Sequence, residues 1–213
     1  MKRFSVLAAC SLVCFVAAGS SAEIYRGMGP DSTLGDVKKK FPGAVFKKEN
    51  PAWARERDAI YTVTGKGIEG TIVIKFDDFR PEQRRMMEGA PDNNEKDYWR
   101  HKAERSEDDA LIVSAVRWFP DVPFSVDRLI TKYGKPEASD FLPNNFQPYK
   151  AWTSRGILAR LSDDEKMVLS IEFNFTEKEW KDALNAAFGP PPPPPPPPAQ
   201  KAKEKKGKKG TKK

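Results

Sequence analysis

Cysteine is almost missing from this chain of 213 residues: there are two, Cys10 and Cys14, and both fall within the first 22 positions. Once those positions are removed, the chain can form no disulfide, offers no thiol nucleophile and has no Cys ligand for a metal. Histidine is scarcer still. His101 stands alone beside Tyr98, Trp99 and Arg100, and without an oriented nucleophile and a partner carboxylate it reads as a solvated or partly packed side chain. A transition metal therefore finds little ligand material. No run of alternating acids surrounds a central glycine as a calcium loop requires. Thr64-Gly65-Lys66-Gly67 reads as a hairpin with no helix behind it, so it is not a phosphate loop. No cofactor is expected.

The first 22 residues have the order of a secretory signal peptide. Lys2 and Arg3 form a short basic start, Phe4–Ala18 is an almost unbroken apolar run, and Ser20-Ser21-Ala22 supplies small residues before Glu23. The run is too short and too rich in small residues for a spanning helix. Cleavage is expected after Ala22, leaving a periplasmic or secreted chain without a transmembrane span. Leu7-Ala8-Ala9-Cys10 looks like a lipoprotein processing box. A cut there leaves only about six apolar residues, short of the roughly 7–15 a signal uses, so lipidation at Cys10 is not expected.

Charge is unevenly placed. The chain carries a formal net charge of +7, and Lys201–Lys213, with eight lysines against one glutamate, accounts for all of it. The basic character belongs to the tail, so it is no argument for nucleic-acid binding by the folded body. Between body and tail run nine prolines, Pro190–Pro198, a polyproline II spacer of about 28 Å at roughly 3.1 Å per residue. The segment from residue 199 onward cannot build a core and is expected to be disordered.

The body contains a weak internal repeat. Thr33 precedes Leu34, Val37 and Phe41, with Gly43 after; Ser125 precedes Val126, Leu129 and Tyr133, with Gly134 after. Both read as capped, two-turn amphipathic helices. At the same offset of 92 residues, Glu23–Met28 matches Ala115–Pro120, and Ala59–Thr64 matches Ala151–Ser154, all strand-like. The register then slips by five, so that Ile74–Asp77 pairs with Ile171–Asn174, the slip being absorbed in the turns Gly65–Gly67 and Ser162–Glu165. Each half closes with a helix, one opened by Pro81, the other by the capping box Thr176/Glu179. The expected fold class is α+β: two tandem strand–helix–antiparallel strands–helix units, each with its own sheet. The expected boundaries are a signal at 1–22, a first unit at 23–89, a charged linker at 90–109, a second unit at 110–189, a spacer at 190–198 and a tail at 199–213. Within the linker, Glu95–Ser106 reads as one helical segment, and Ala110–Trp118 after it as a strand.

Gly27-Met28, Thr33-Leu34-Gly35-Asp36-Val37 and Phe41-Pro42-Gly43 resemble the opening of small bacterial envelope α+β repeat domains, namely the accessory lipoproteins of the β-barrel assembly machine and the tandem-repeat β-lactamase inhibitor proteins. The resemblance implies a non-catalytic unit that binds another protein through its sheet face. The chain departs from it in the second half, where Trp118-Phe119-Pro120 replaces Gly-Met, and in lacking the inhibitors' disulfides.

Carboxylate pairs are the remaining route to catalysis. Asp77-Asp78, Asp108-Asp109 and Asp163-Asp164 are adjacent in sequence, and neighbours on a strand point to opposite faces and cannot converge on one bond. No catalytic residue is expected. Aromatics cluster in the second half, and Phe141, Phe146, Tyr149 and Trp152, around a loop rich in proline and asparagine, are the expected partner-binding residues. Lys201, Lys203, Lys205, Lys206, Lys208, Lys209, Lys212 and Lys213 are the expected tether to an anionic surface. Together these features predict an exported binding or scaffolding protein whose partners are an envelope protein, an anionic envelope polymer or lipid headgroups, and not nucleic acid. The alternatives are an acid-pair hydrolase acting on an envelope polymer and a secreted inhibitor of a hydrolase.

Overall fold

A computed structural model describes residues 25–189. The signal and the lysine tether expected at the two ends lie outside the described residues. In chain order the elements are α1 (Leu34–Lys40), β1 (Ala44–Glu49), β2 (Asp58–Gly65), β3 (Thr71–Asp78), α2 (Arg80–Gly89), α3 (Asn93–Ala103), α4 (Glu107–Ala110), β4 (Leu111–Phe119), β5 (Phe124–Ser125), α5 (Asp127–Tyr133), β6 (Ala138–Phe141), β7 (Pro148–Trp152), β8 (Ile157–Leu161), β9 (Met167–Asn174) and α6 (Glu177–Phe188).

These strands form one nine-stranded sheet and not two. Its order is β1-β2-β3-β4-β9-β8-β7-β6, with β5 added against β9. The expectation of two tandem units is overturned at β4. That strand pairs with β3 over its whole length, Thr71 opposite Phe119 through Asp78 opposite Leu111, and with β9 on its other edge, Ala115 opposite Asn174 through Trp118 opposite Ile171. The strand expected to open a second unit is the seam of a single sheet. Among the described residues every neighbouring strand pair is antiparallel.

Local signals set the ends of the elements. Thr33 accepts from the backbone N–H of Asp36 while the Asp36 carboxylate accepts from Thr33, a reciprocal cap of α1. Thr176 and Glu179 do the same for α6. At α5 the cap expected at Ser125 is not formed: Val126 is the N-cap without a side-chain cap hydrogen bond, and Ser125, one residue earlier, accepts from the Asp127 backbone. Gly65 and Gly67 both have positive φ in the β2–β3 turn, where a side chain would be strained. Glu23–Met28, expected as a strand, is over its described part a tight turn: Tyr25 bridges Met28, with Arg26 and Gly27 at positive φ.

One face of the sheet carries the main core. Leu34 and Val37 of α1 and Leu129 of α5 pack there against Val63, Ile72, Ile74, Phe76, Val116 and Phe173. A second apolar cluster lies at the end of the sheet where β3 and β9 run into α2 and α6. Phe79 meets Phe188 at 5.1 Å and Trp180 at 6.1 Å, Gln83 Nε2 donates to the Ala187 carbonyl at 3.1 Å, and Lys102 Nζ donates to the Ala186 carbonyl at 2.8 Å. The stretch expected as a charged linker is thus mostly α3 and α4, and it buries Trp99 and Ala103. Among the described residues no helix is long and apolar enough to cross a membrane.

Candidate functional site

Strand alternation sends every second residue away from the core. On that other face the side chains are polar and half-buried: Thr62 on β2, Lys75 on β3, Arg117 on β4, Glu172 on β9 and Arg160 on β8. At its centre Glu172 lies directly opposite Arg117 across the seam. Arg117 donates to Glu172 Oε2 through both Nε, at 2.9 Å, and Nη2. Arg160 donates to the same oxygen at 3.3 Å. Burial pushes the Glu172 carboxyl up, but the charge and hydrogen bonds of Arg117 outweigh it and hold the carboxyl below its ordinary range.

Towards the helical end, the same face turns into a groove made of two adjoining cavities that share Arg55 and Arg57. The first, about 380 Å³, also touches Pro81, Glu82 and Arg85 of α2. The second, about 360 Å³, is floored by Lys75, Ser114 and Asn174 and walled by Phe175 and Trp180. Arg55 and Arg57 come from the segment between β1 and β2, which also carries Trp53, 71% exposed. Both arginines stand beside an aspartate with Nε at 3.5 Å, Arg55 towards Asp58 and Arg57 towards Asp77. That is beyond a good hydrogen bond.

Beneath them sits an acid pair that sequence reasoning missed. Asp58 and Asp77 are directly opposite on β2 and β3, with side chains 3% and 2% exposed. Lys75 Nζ is 3.1 Å from Asp58 Oδ1 and 4.0 Å from Asp77 Oδ1, so the two oxygens are no farther apart than those spans combined. Burial drives the Asp77 carboxyl above its ordinary value, with Lys75 and Arg57 only partly opposing. At Asp58 burial acts the same way, but the Arg55 backbone N–H and Lys75 prevail and lower it.

The acids singled out from the sequence scatter. Asp78 turns away from Asp77 to hold Arg80, Asp108 takes Lys38, and Asp164 accepts from Ser162 in the β8–β9 turn. His101 is exposed on α3. Among the described residues no three His, Cys, Asp or Glu side chains gather in a way that could hold a metal ion.

The expected aromatic anchors divide. Phe141 is 53% and Phe146 78% exposed, at the two ends of the Leu142–Gln147 connection between β6 and β7. Tyr149 is half-buried. Trp152 is a correction: it is 1% exposed, and its indole N–H donates to the Gly134 carbonyl at 2.9 Å. It belongs to the core with Ile157 opposite and presents nothing to a partner. The anchors that sequence reasoning passed over are Trp53, Arg55 and Arg57. Their signal was a lone tryptophan followed by two arginines in a proline-containing connection.

No protein-family model matches this chain, and no curated protein matches it. Among solved structures it is similar to the crystal structure of a DUF4309 family protein (YjgB) from Bacillus subtilis subsp. subtilis str. 168, at 12% identity and a TM-score of 0.38, covering 71% of this chain and 84% of that one.

Proposed function

We propose that this chain is an exported, non-catalytic binding protein of the bacterial envelope, periplasmic or secreted, that holds an anionic envelope component in the groove at Arg55, Arg57 and Lys75. The observation that carries this reading is the pair of guanidinium groups at the groove. Each has its Nε 3.5 Å from an aspartate and makes no side-chain hydrogen bond to it, so its guanidinium donors are unspent and can serve an incoming oxyanion. Guanidinium forks match carboxylate and phosphate geometry. Trp53 beside them is a side chain of the type that anchors interfaces. The exposed Phe141 and Phe146 form a separate apolar spot suited to a protein neighbour. The lysine tether, outside the described residues, adds non-specific attraction to the same surface.

The test is co-sedimentation of the chain from Glu23 to Lys213 with purified envelope fragments, against the double variant Arg55→Gln/Arg57→Gln. The double variant keeps the tail, so the tail contributes equally to both. The expected result is a loss of sedimentation of about tenfold in the variant, the scale of a charge-assisted contact. Equal sedimentation would remove the groove from the function.

Acid-pair hydrolysis has one observation in its favour, the placement of Asp58 and Asp77 within the separation of up to about 9.5 Å that glycoside hydrolysis uses. Their burial argues against it, because Lys75 occupies the space between the carboxylates where a scissile bond must sit.

A further inference from the structure

Resting on that reading, we infer that the ligand class of the groove is an acidic saccharide, its carboxylate held by Arg55, Arg57 and Arg85 and its sugar ring seated against Trp180. The two cavities differ in chemistry and join at Arg55 and Arg57. On one side Arg85 brings a third guanidinium, which has no ion-pair or hydrogen-bond partner among the described residues, so that three guanidinium groups face the two carboxylates of Glu56 and Glu82 on the same lining and leave one positive charge in excess. Arg55 and Arg57 likewise donate no side-chain hydrogen bond among the described residues.

On the other side the lining changes to rings and small polar groups. Trp180 is half-buried, tilted on Phe79 at 6.1 Å, and its indole N–H donates to nothing among the described residues. Asn174 gives its amide N–H to Glu172 at 3.2 Å, which leaves its carbonyl oxygen able to accept. Ser114 donates to the Lys75 carbonyl at 3.1 Å, which leaves its hydroxyl oxygen able to accept. A pyranose meets these needs together: its C–H face lies on an aromatic ring while its hydroxyls donate and accept around the rim. A bare phosphate uses only the arginine side, and an acidic peptide has no flat ring-sized face for Trp180. Glu172 also borders this cavity, but Arg117 and Arg160 neutralise it.

The experiment is isothermal titration calorimetry of the Glu23–Lys213 chain with four probes: tetragalacturonate, its methyl ester, tetraglutamate and inorganic phosphate. Each is repeated on Arg55→Gln/Arg57→Gln, on Arg85→Gln and on Trp180→Ala. Arg85 lies on a different element and holds up no aspartate, so it reports on the groove even if the double variant folds poorly. Tetragalacturonate is expected to bind the parent chain about tenfold more tightly than it binds any of the three variants, and about tenfold more tightly than tetraglutamate or the ester binds the parent. Groove-dependent binding of tetraglutamate at equal strength overturns the saccharide in favour of an acidic peptide. Phosphate binding that needs the arginines and ignores Trp180, without tetragalacturonate binding, overturns it in favour of a simple oxyanion site. Tetragalacturonate binding unchanged in Arg85→Gln and Trp180→Ala overturns it as well. If sedimentation on envelope fragments still needs Arg55 and Arg57 in any of these cases, the proposed function stands and only the ligand class falls.

Discussion

Asp58 and Asp77 face each other across β2 and β3 as two buried carboxylates with one lysine between them, Lys75 Nζ lying 3.1 Å from the first and 4.0 Å from the second. The Oδ1 atom of each receives no hydrogen bond. Like charges directly opposite on a sheet repel, so this end of the sheet depends on that ammonium, with Arg55 and Arg57 assisting from 3.5 Å. Lys75→Met keeps the aliphatic stem and removes the charge. It is expected to lower stability by about 3 kcal/mol, the scale for stripping one partner from a buried ion pair, read as a lower urea midpoint at unchanged slope.

The pair also gives opposite pH signatures. Asp77 has its folded pKa raised above the ordinary 3.8, by burial first. The folded state therefore binds its proton more tightly, and stability from this group falls as pH rises from the unfolded pKa through the folded one. Asp58 is lowered, so its contribution is present above the unfolded pKa and lost as pH falls through the folded value. Asp77→Asn removes only the first effect. Relative to the parent chain, the variant is expected to gain stability as pH rises above about 4. Urea midpoints at a series of pH values check this, and parallel curves would show that Asp77 titrates normally.

Glu172 joins the two halves of the sheet. It sits opposite Arg117 across the β4–β9 seam and takes Arg160 from β8. Glu172→Gln keeps the size and leaves two cations together without their anion, a cost of about 2 kcal/mol after allowing for the part-exposure of Arg117. Because the Glu172 carboxyl is lowered despite its burial, the parent chain is expected to lose this stabilisation in acid, as pH falls through a value below 4.5. The variant loses nothing there. Acid titration followed by circular dichroism distinguishes the two.

What could be read from the sequence follows the range of the interactions. The capping boxes at Thr33 and Thr176 and the turns at Gly65–Gly67 and Ser162–Glu165 involve residues a few positions apart, and they stand where the pattern of side chains put them. The single sheet does not reveal itself this way. It depends on β4 pairing with both β3 and β9, and β4 looks the same in sequence whether it opens a second sheet or closes a gap in the first. The cross-strand pairs were hidden for a related reason. In sequence the neighbour of Asp77 is Asp78, which points the other way, whereas its spatial partner Asp58 lies across a hairpin. Trp152 follows the loop aromatics in sequence but ends a strand, β7, whose alternation puts it inside. Trp53 and its arginines lie in a connection with no periodicity, where exposure can be learned only from the fold.

Trp152 and Phe146 are expected to behave in opposite ways. Trp152→Ala removes a fully buried ring and its hydrogen bond to Gly134, at a cost of about 3–5 kcal/mol. Phe146→Ala takes away an exposed ring and should stay within about 0.5 kcal/mol. Phe146 also has φ of 52°, a left-handed conformation that costs a residue with a Cβ about 1 kcal/mol. Phe146→Gly is therefore expected to be more stable than Phe146→Ala by about that amount in thermal unfolding. If the proposed protein neighbour sits on Phe146, it should release Phe146→Gly more readily than the parent chain.

The proposed groove attachment and the proposed lysine tether differ in their physics, and an experiment can separate them. A run of lysines near an anionic membrane contributes about 1 kcal/mol per residue close to the surface and is screened within about 10 Å at 0.1 M salt. The proposed groove site would hold its ligand by directed donors in a partly enclosed cavity, and salt weakens such contacts less. Vesicles containing anionic lipid but no saccharide offer only the first attachment. The chain from Glu23 to Lys213 is expected to sediment with such vesicles at low salt and to release steeply as salt rises. Removing residues 190–213 should abolish this binding, while Arg55→Gln/Arg57→Gln should leave it intact. The reverse is expected with envelope fragments at 0.3 M salt, a concentration chosen to screen the tail: there the truncated chain keeps binding and the double variant loses it. If truncation and the arginine changes act alike on both surfaces, the protein has one electrostatic attachment and the groove adds no selectivity to it.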